Sequence, residues 1–176
     1  MTVPLVSLRL LEAGDPIGEL TTLLHRAYLP LAKAGMRYWA SYQDEATTRR
    51  RCAQGECWVA VRGQRIIGTI TWRNGGASER CSWYVRRDVA IFGQFAVEPE
   101  SQGAGIGSRL LDRVETRAQE GGFSELACDT AEQAEELISY YGRRGYRSVG
   151  HVRWEQANYP SVILSRSLNG GGRAKP

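Results

Sequence analysis

The stretch from Phe95 to Ser108 constrains this chain more than any other. It reads Phe95-Ala96-Val97-Glu98-Pro99-Glu100-Ser101-Gln102-Gly103-Ala104-Gly105-Ile106-Gly107-Ser108. The β-rich residues 89–97 give way to a glycine-rich turn. The turn opens a segment with apolar side chains at Ile106, Leu110, Val114 and Ala118, the spacing of one helix face. The first N–H groups of a helix have no internal partners, and with the helix dipole they favour an anion. Glycines keep side chains clear of that anion and admit unusual backbone angles. A strand, a glycine turn and a helix in this order read as an anion site. The glycines alone are read almost as well as a helix start packed tightly on a sheet. Two phosphate motifs are disfavoured. No lysine precedes Ser108, as a P-loop requires. Gly103, Gly105 and Gly107 have the wrong last spacing for a dinucleotide fingerprint and do not follow the strand directly.

The rest of the chain supplies a sheet and three more helices. Residues 6–11 are a candidate strand. Asp15 before Pro16 predicts a capped helix start, and Ile17, Leu20, Leu24, Ala27 and Leu31 form its apolar face, with Pro30 expected to kink or end it. Asp44 predicts the cap of a shorter helix reaching about Gln54, stopped by Gly55. Residues 57–61 and 66–72 read as a hairpin, and Asn74-Gly75-Gly76 as a turn. Residues 77–87 have no firm assignment. Gly93 inside the next strand suggests a bulge or a close backbone approach. After the helix from Ile106, Gly121-Gly122 is a stop and 124–128 a short strand. Thr130 with Gln133 predicts a capping box, and Ala134, Leu137, Ile138 and Tyr141 lie along one side of the helix it would open. Two closing strands, 148–154 and 161–165, precede a flexible tail at 169–176. The order is β-α-α-β-β-β-α-β-α-β-β, without repeats. It argues for one α/β (α+β) domain at 5–168 with a mostly antiparallel sheet of six or seven strands and about four helices.

Composition narrows the function classes. The length, 176 residues, suits one domain with a real core. The net charge of +4 is a mild field that favours an anionic ligand and is too weak to argue for nucleic acid. The arginine-rich stretches at 49–51 and 143–147 read as solvated helix faces or ends. Cys52, Cys57, Cys81 and Cys128 have no Cys-x-x-Cys spacing, and His25 and His151 are far apart, so neither a metal site nor a disulfide framework is expected. The N-terminus carries no secretory pattern and no apolar run could span a membrane, so a cytoplasmic protein with reduced thiols is expected.

Two motifs together resemble a family. Gln102-x-x-Gly105-x-Gly107 matches the [Arg/Gln]-x-x-Gly-x-[Gly/Ala] signature of the GNAT family of N-acetyltransferases. Tyr141-Gly142-Arg143-Arg144-Gly145-Tyr146 is similar to that family's Tyr-x-x-x-Gly-[Phe/Tyr] segment, at the expected distance and on the expected helix. The element order agrees over nearly the whole chain.

The resemblance implies a sheet that splays open beside the motif strand, with acetyl-CoA as cosubstrate and an amine as acceptor. Phe95, Ala96 and Val97 would face the pantetheine arm through the main chain, as an added strand does. Gln102, Gly103, Ala104, Gly105, Ile106, Gly107 and Ser108 would hold the pyrophosphate. Tyr141 stands at the family's general acid, protonated at neutral pH and able to donate to a thiolate. It also continues an apolar face, and packing and catalysis are compatible in a tyrosine. Tyr140 is the fallback. For the base, the nearby carboxylates are Glu79, Asp88, Glu98 and Asp129. Glu98 is the choice for the site, and Asp129 reads as a helix cap beside Thr130. Ala134 replaces the asparagine often found seven residues before the tyrosine, which puts a side-chain contact to the CoA arm in doubt. The acceptor pocket is expected from the first two helices and the hairpin, with Tyr38, Trp39, Tyr42, Trp72, Trp83 and Tyr84, joined by Trp154 and Tyr159. No metal or membrane partner is expected, and a homodimer fits family habit. Two other readings stay open: a non-catalytic CoA-binding module of the same fold, and a nucleotide binder that uses the glycine loop differently.

Overall fold

A computed structural model describes residues 5–76 and 80–169 of the protein. The tail expected at 169–176 therefore lies, from Gly170 onward, outside the described residues, as does Glu79. The elements are β1 (Val6–Leu10), α1 (Ile17–Lys33), α2 (Glu45–Cys52), β2 (Glu56–Arg62), β3 (Arg65–Asn74), β4 (Val89–Val97), α3 (Ile106–Glu120), β5 (Glu125–Ala131), α4 (Glu135–Arg143), β6 (Arg147–Arg153) and β7 (Pro160–Ser167), with 3-10 turns at Trp39–Ser41 and Pro99–Ser101. They build the expected mixed layer fold: one open seven-stranded sheet in the order β1-β2-β3-β4-β5-β7-β6. Every neighbouring pair is antiparallel except β4 and β5. Among the described residues no helix is long and apolar enough to cross a membrane.

The sheet is covered on both faces. On one, α3 buries Leu110, Leu111, Val114 and Ala118 against Ala60, Ile67, Ile70, Trp72, Phe92 and Leu126. On the other, α1 buries Ile17, Leu20, Leu23 and Leu24 against Val59, Val61, Ile66 and Ala96. Each leucine, isoleucine or valine among them contributes roughly 1.5–3 kcal/mol relative to exposure. Gly55 marks how closely the chain comes to β3, since a Cβ there would lie 2.0 Å from the Trp72 carbonyl oxygen.

Three local expectations give way. Asp15 does not cap α1. Its carboxylate takes both Arg9 Nη atoms at 2.7 Å and the Glu12 N–H at 2.7 Å, pinning the turn from β1. Pro30 does not end α1. It sits in the last turn, where its carbonyl still accepts the Ala34 N–H at 3.0 Å, and the helix stops before Gly35 at φ +89. The Thr130–Gln133 capping box is absent because β5 runs on to Ala131, paired to Ser161 of β7. The Thr130 hydroxyl pairs with the Tyr38 hydroxyl at 2.7 Å, and α4 begins at Glu135 without a side-chain cap. Asp44, by contrast, caps α2 as expected, accepting the Thr47 N–H at 2.8 Å.

The expected irregularity near Gly93 is a bulge at Gln94. Thr71 faces Gly93 and Thr69 faces Ala96, so β4 carries one residue more than β3, and Gln94 has φ +47. An inserted residue reverses side-chain alternation. Ala90 and Phe92 before the bulge, and Phe95 and Val97 after it, all pack toward α3, whereas Ala96 turns to α1.

Candidate active site

The only parallel pair in the sheet is also the shortest. β4 and β5 pair at Val89 with Glu125, Ala90 with Leu126 and Ile91 with Ala127, and then part. β4 stays bound to β3 as far as Val97 and β5 to β7 as far as Ala131, so a wedge opens between residues 92–97 and 128–131. Glu98 donates its N–H to the Ile67 carbonyl of β3 at 2.9 Å. Strand alternation then turns the main-chain groups of Phe95 and Val97 away from β3 and into the wedge. Two donors already reach their carbonyls: the Tyr28 hydroxyl to Phe95 at 3.0 Å, and Gln102 Nε2 to Val97 at 3.1 Å.

At the wedge's outer end the glycine loop meets α3. Gly103 and Gly105 both have φ +76, and Gly105 is the left-handed residue that starts the helix. The first helical bond from this end runs from the Arg109 N–H to the Gly105 carbonyl at 3.0 Å, which leaves the amides of Ile106, Gly107 and Ser108 without helical partners. A Cβ on Gly103 or Gly105 would meet nothing within 4 Å, so the loop is open on the sides these two glycines face. Gly107 differs, since its Cβ would touch Phe95 and Val97 at 3.5 Å. Ile106 is buried and anchors the helix start, while Gln102, Gly103 and Ala104 are exposed. The loop thus has the room and the donors for a diphosphate. Gln102 ties it to β4.

On the other side lies a cleft of about 340 Å³. Tyr28, Tyr38 and Tyr159 form a tilted aromatic row along it, with centroids 5.2 and 4.9 Å apart. Trp39, Tyr84 and Trp154 also face it. Of the aromatics expected here, three stand elsewhere. Trp72 points to the opposite sheet face, edge-on to Phe123 at 5.8 Å. Trp83 packs beside Cys81, Tyr84 and Val152 under the Arg86 guanidinium. Tyr42 is exposed, donating to the Gln156 carbonyl at 2.7 Å. Strand alternation explains the first, since Thr71 and Arg73 take the cleft side.

Tyr141 lines the cleft and is buried to 7% exposure, with burial holding its phenol well above the ordinary tyrosine value. Tyr140 packs edge-on against it and does not line the cleft. Glu98 is misplaced for a base. Both of its oxygens are held by Arg26, through Nε at 2.8 Å and Nη2 at 2.7 Å, and it is absent from the cleft wall. Asp88 is exposed and paired with Arg86 at 2.6 Å. Asp129 is the carboxylate that faces the cleft, and it caps no helix. It sits within β5, its Oδ1 accepting the Tyr84 hydroxyl at 3.0 Å and its Oδ2 the Trp154 indole N–H at 2.8 Å. Desolvation raises its pKa above the usual carboxylate range, against those two hydrogen bonds and the pull of Arg51 and Arg73. A single acid in the apolar run Leu126-Ala127-Cys128-Asp129 was the available signal. Ala134 is buried beside Tyr38 and Tyr159, filling with packing the place where the family often has an asparagine.

The Acetyltransferase (GNAT) family model matches residues 19–146, from α1 through the loop to the end of α4. The S-(2-succino)cysteine N-acetyltransferase of Bacillus subtilis is 30% identical over 130 residues, covering 73% of this chain and 76% of that protein. Among solved structures, the ribosomal-protein-S18-alanine N-acetyltransferase of Escherichia coli superposes with a TM-score of 0.70 over 98% of this chain and 99% of that one, at 15% identity. A GNAT family acetyltransferase from Elizabethkingia anophelis with acetyl-CoA bound superposes at 0.64 over 92% and 97%, at 16% identity. With the parting strands β4 and β5, the glycine loop and the tyrosine helix all inside the matched span, the chain belongs to the acetyltransferase (GNAT) family.

Proposed function

We propose that the protein transfers an acetyl group from acetyl-CoA to a small primary amine by direct attack. The observation that carries the reading is the arrangement of the wedge: an open glycine loop at one end, and a buried phenol and a desolvated carboxylate in the cleft at the other. The amides of residues 103–108 suit the pyrophosphate, and the inward-facing amides of Phe95 and Val97 suit the pantetheine arm and the acetyl oxygen.

Asp129 takes the base role here in place of Glu98. Its raised pKa makes it a stronger proton acceptor than an ordinary carboxylate. The acceptor ammonium gives one proton to Asp129, and the free amine attacks the thioester carbon. The C–N bond forms, the C–S bond breaks, and the sulfur takes the Tyr141 proton. The second proton leaving the nitrogen restores the phenol.

The test is thiol release from acetyl-CoA across an amine panel, with the acetylated product identified by mass. The panel includes S-(2-succino)cysteine, the acceptor in the relative's name. Binding of CoA without turnover on any amine would leave a non-catalytic CoA-binding module of the same fold. Thermal stabilisation by ATP or NAD and not by CoA would reject both readings.

A further inference from the structure

The cleft holds more positive charge than its own carboxylate can balance. Arg51 and Arg73 both line it, facing Asp129. Among the described residues neither arginine forms an ion pair with a carboxylate, whereas arginines 9, 26, 80, 86, 117, 144, 147 and 166 all do. Arg51 is no solvated member of the 49–51 run. Arg49 and Arg50 are exposed, and the helical turn carries Arg51 inward, where desolvation lowers its pKa. A guanidinium stays charged under such conditions, so its charge is left with polar but neutral partners.

Those partners fix its position. Arg51 Nη1 donates to Gln43 Oε1, and Gln43, only 2% exposed, donates through Nε2 to Gln94 Oε1 at 2.7 Å and to Thr48 Oγ1 at 2.8 Å. The Trp39 ring lies 4.8 Å from the guanidinium carbon. The chain Arg51–Gln43–Gln94 thus fastens the cation to the bulge in β4. Arg51 Nη2 stands 3.8 Å from the place a Gly93 Cβ would occupy, beside the point where the wedge opens. A cation oriented by an anchored glutamine and an indole has the features of a docking group.

We propose that Arg51 binds a carboxylate of the acceptor, so that the substrate class is free α-amino acids and not peptide N-termini or polyamines. The acceptor's ammonium turns to Asp129 and its carboxylate to Arg51. The two charges of one zwitterion then meet the two signs the cleft presents. Arg73 remains to favour acceptors with a second acidic group. A peptide N-terminus, whose carboxyl is tied up in an amide, would leave the Arg51 charge buried and unanswered. This inference rests on the acetyl-transfer reading above.

The experiment measures kcat/KM for free L-amino acids, S-(2-succino)cysteine among them, against the α-carboxamide of each, with spermidine and an alanine-terminated peptide alongside. The wild-type protein should prefer the free acid by about 10–100-fold, the range expected for losing a charged hydrogen-bonded partner. In Arg51→Gln that preference should collapse through KM for the acceptor, with the KM for acetyl-CoA unchanged, and Arg51→Lys should restore part of it. The acid–amide comparison in the wild type stands even if a variant folds poorly. Equal or better use of the carboxamide, peptide or spermidine overturns the carboxylate inference and leaves acetyl transfer intact. Loss of turnover on every amine, with CoA still bound, overturns both.

Discussion

Asp129 accepts the Tyr84 hydroxyl at 3.0 Å from within the strand that forms one wall of the wedge. Tyr84 is fully buried and burial holds its own pKa well up, so it stays a donor. The pair ties an ionisable oxygen to the cleft at a cost in desolvation.

That cost has a sign. Asp129 is raised above its unfolded value, so the native state holds more protons between the two values and stability falls as pH rises through that window. Asp129→Asn removes the ionisable group. Asn can donate to Tyr84 and accept from Trp154, because a hydroxyl can switch roles. The expected outcome is a kcat lower by about 10²–10⁴-fold with an unchanged or higher melting temperature at neutral pH. The wild-type acid limb of kcat/KM should vanish. Retained activity together with a lower melting temperature contradicts the assignment. Glu98→Gln is the comparison, expected to cost stability through Arg26 and to keep the acid limb.

Tyr141→Phe keeps the ring that packs against Phe92 at 5.9 Å and Tyr146 at 5.5 Å, and removes only the hydroxyl. Its kcat should fall by about 10²-fold or more, while the KM for acetyl-CoA holds. Tyr140→Phe should behave as wild type. Because burial raises the Tyr141 pKa, no alkaline loss of activity should trace to this phenol at ordinary assay pH. Steady-state kinetics against pH checks all three points.

The glycine loop offers a contrast between neighbours. At Gly105 an alanine would have space but the wrong backbone, since φ +76 costs an L-residue roughly 1–2 kcal/mol. Its methyl would also enter the open side of the loop. Gly105→Ala should therefore melt lower and bind CoA about tenfold more weakly by calorimetry. Gly107→Ala, within the helix and in ordinary contact with Phe95 and Val97, should change either quantity little.

Glu115 fastens α3 to the far end of the fold. It accepts Arg166 Nη1 at 2.6 Å, Arg144 Nη2 at 3.0 Å and the Tyr146 hydroxyl at 3.1 Å. Glu115→Ala leaves Arg166 and the Tyr146 hydroxyl without this partner, while Arg144 keeps Asp112. A loss of about 3 kcal/mol is expected, at the low end for a buried pair because Arg166 is 37% exposed. Urea unfolding measures it through a lower midpoint at constant slope.

The loop and α3 were legible because their signals are local: left-handed glycines and a helical period act over a few residues. The chain order of strands and helices follows from signals of that kind, whereas the order of strands in the sheet rests on pairings between distant segments. Asp15 and Thr130 misled because each has a partner outside its own motif, Arg9 and Tyr38, that outweighs a cap, and Pro30 because it falls in the last turn, where its carbonyl still accepts the Ala34 N–H. Asp129 and Arg51 were hidden for a related reason. One looked like a cap and the other like solvated charge, and only the folded sheet brings them to one cleft. Glu98 sat at the right place in the chain, yet α1 supplies Arg26 to occupy it.

An ordinary open sheet has two borders. This one has four, because the parting of β4 from β5 exposes a border on each inside the molecule. Outer borders invite strands from other chains. The inner pair is sheltered by its taper and by Tyr38, whose hydroxyl reaches across from the Trp39–Ser41 segment to accept the Ala131 N–H at 3.0 Å. A narrow chain carrying amide groups could pair along such a seam. In this fold, recognising the acyl donor and finishing the sheet would be a single act.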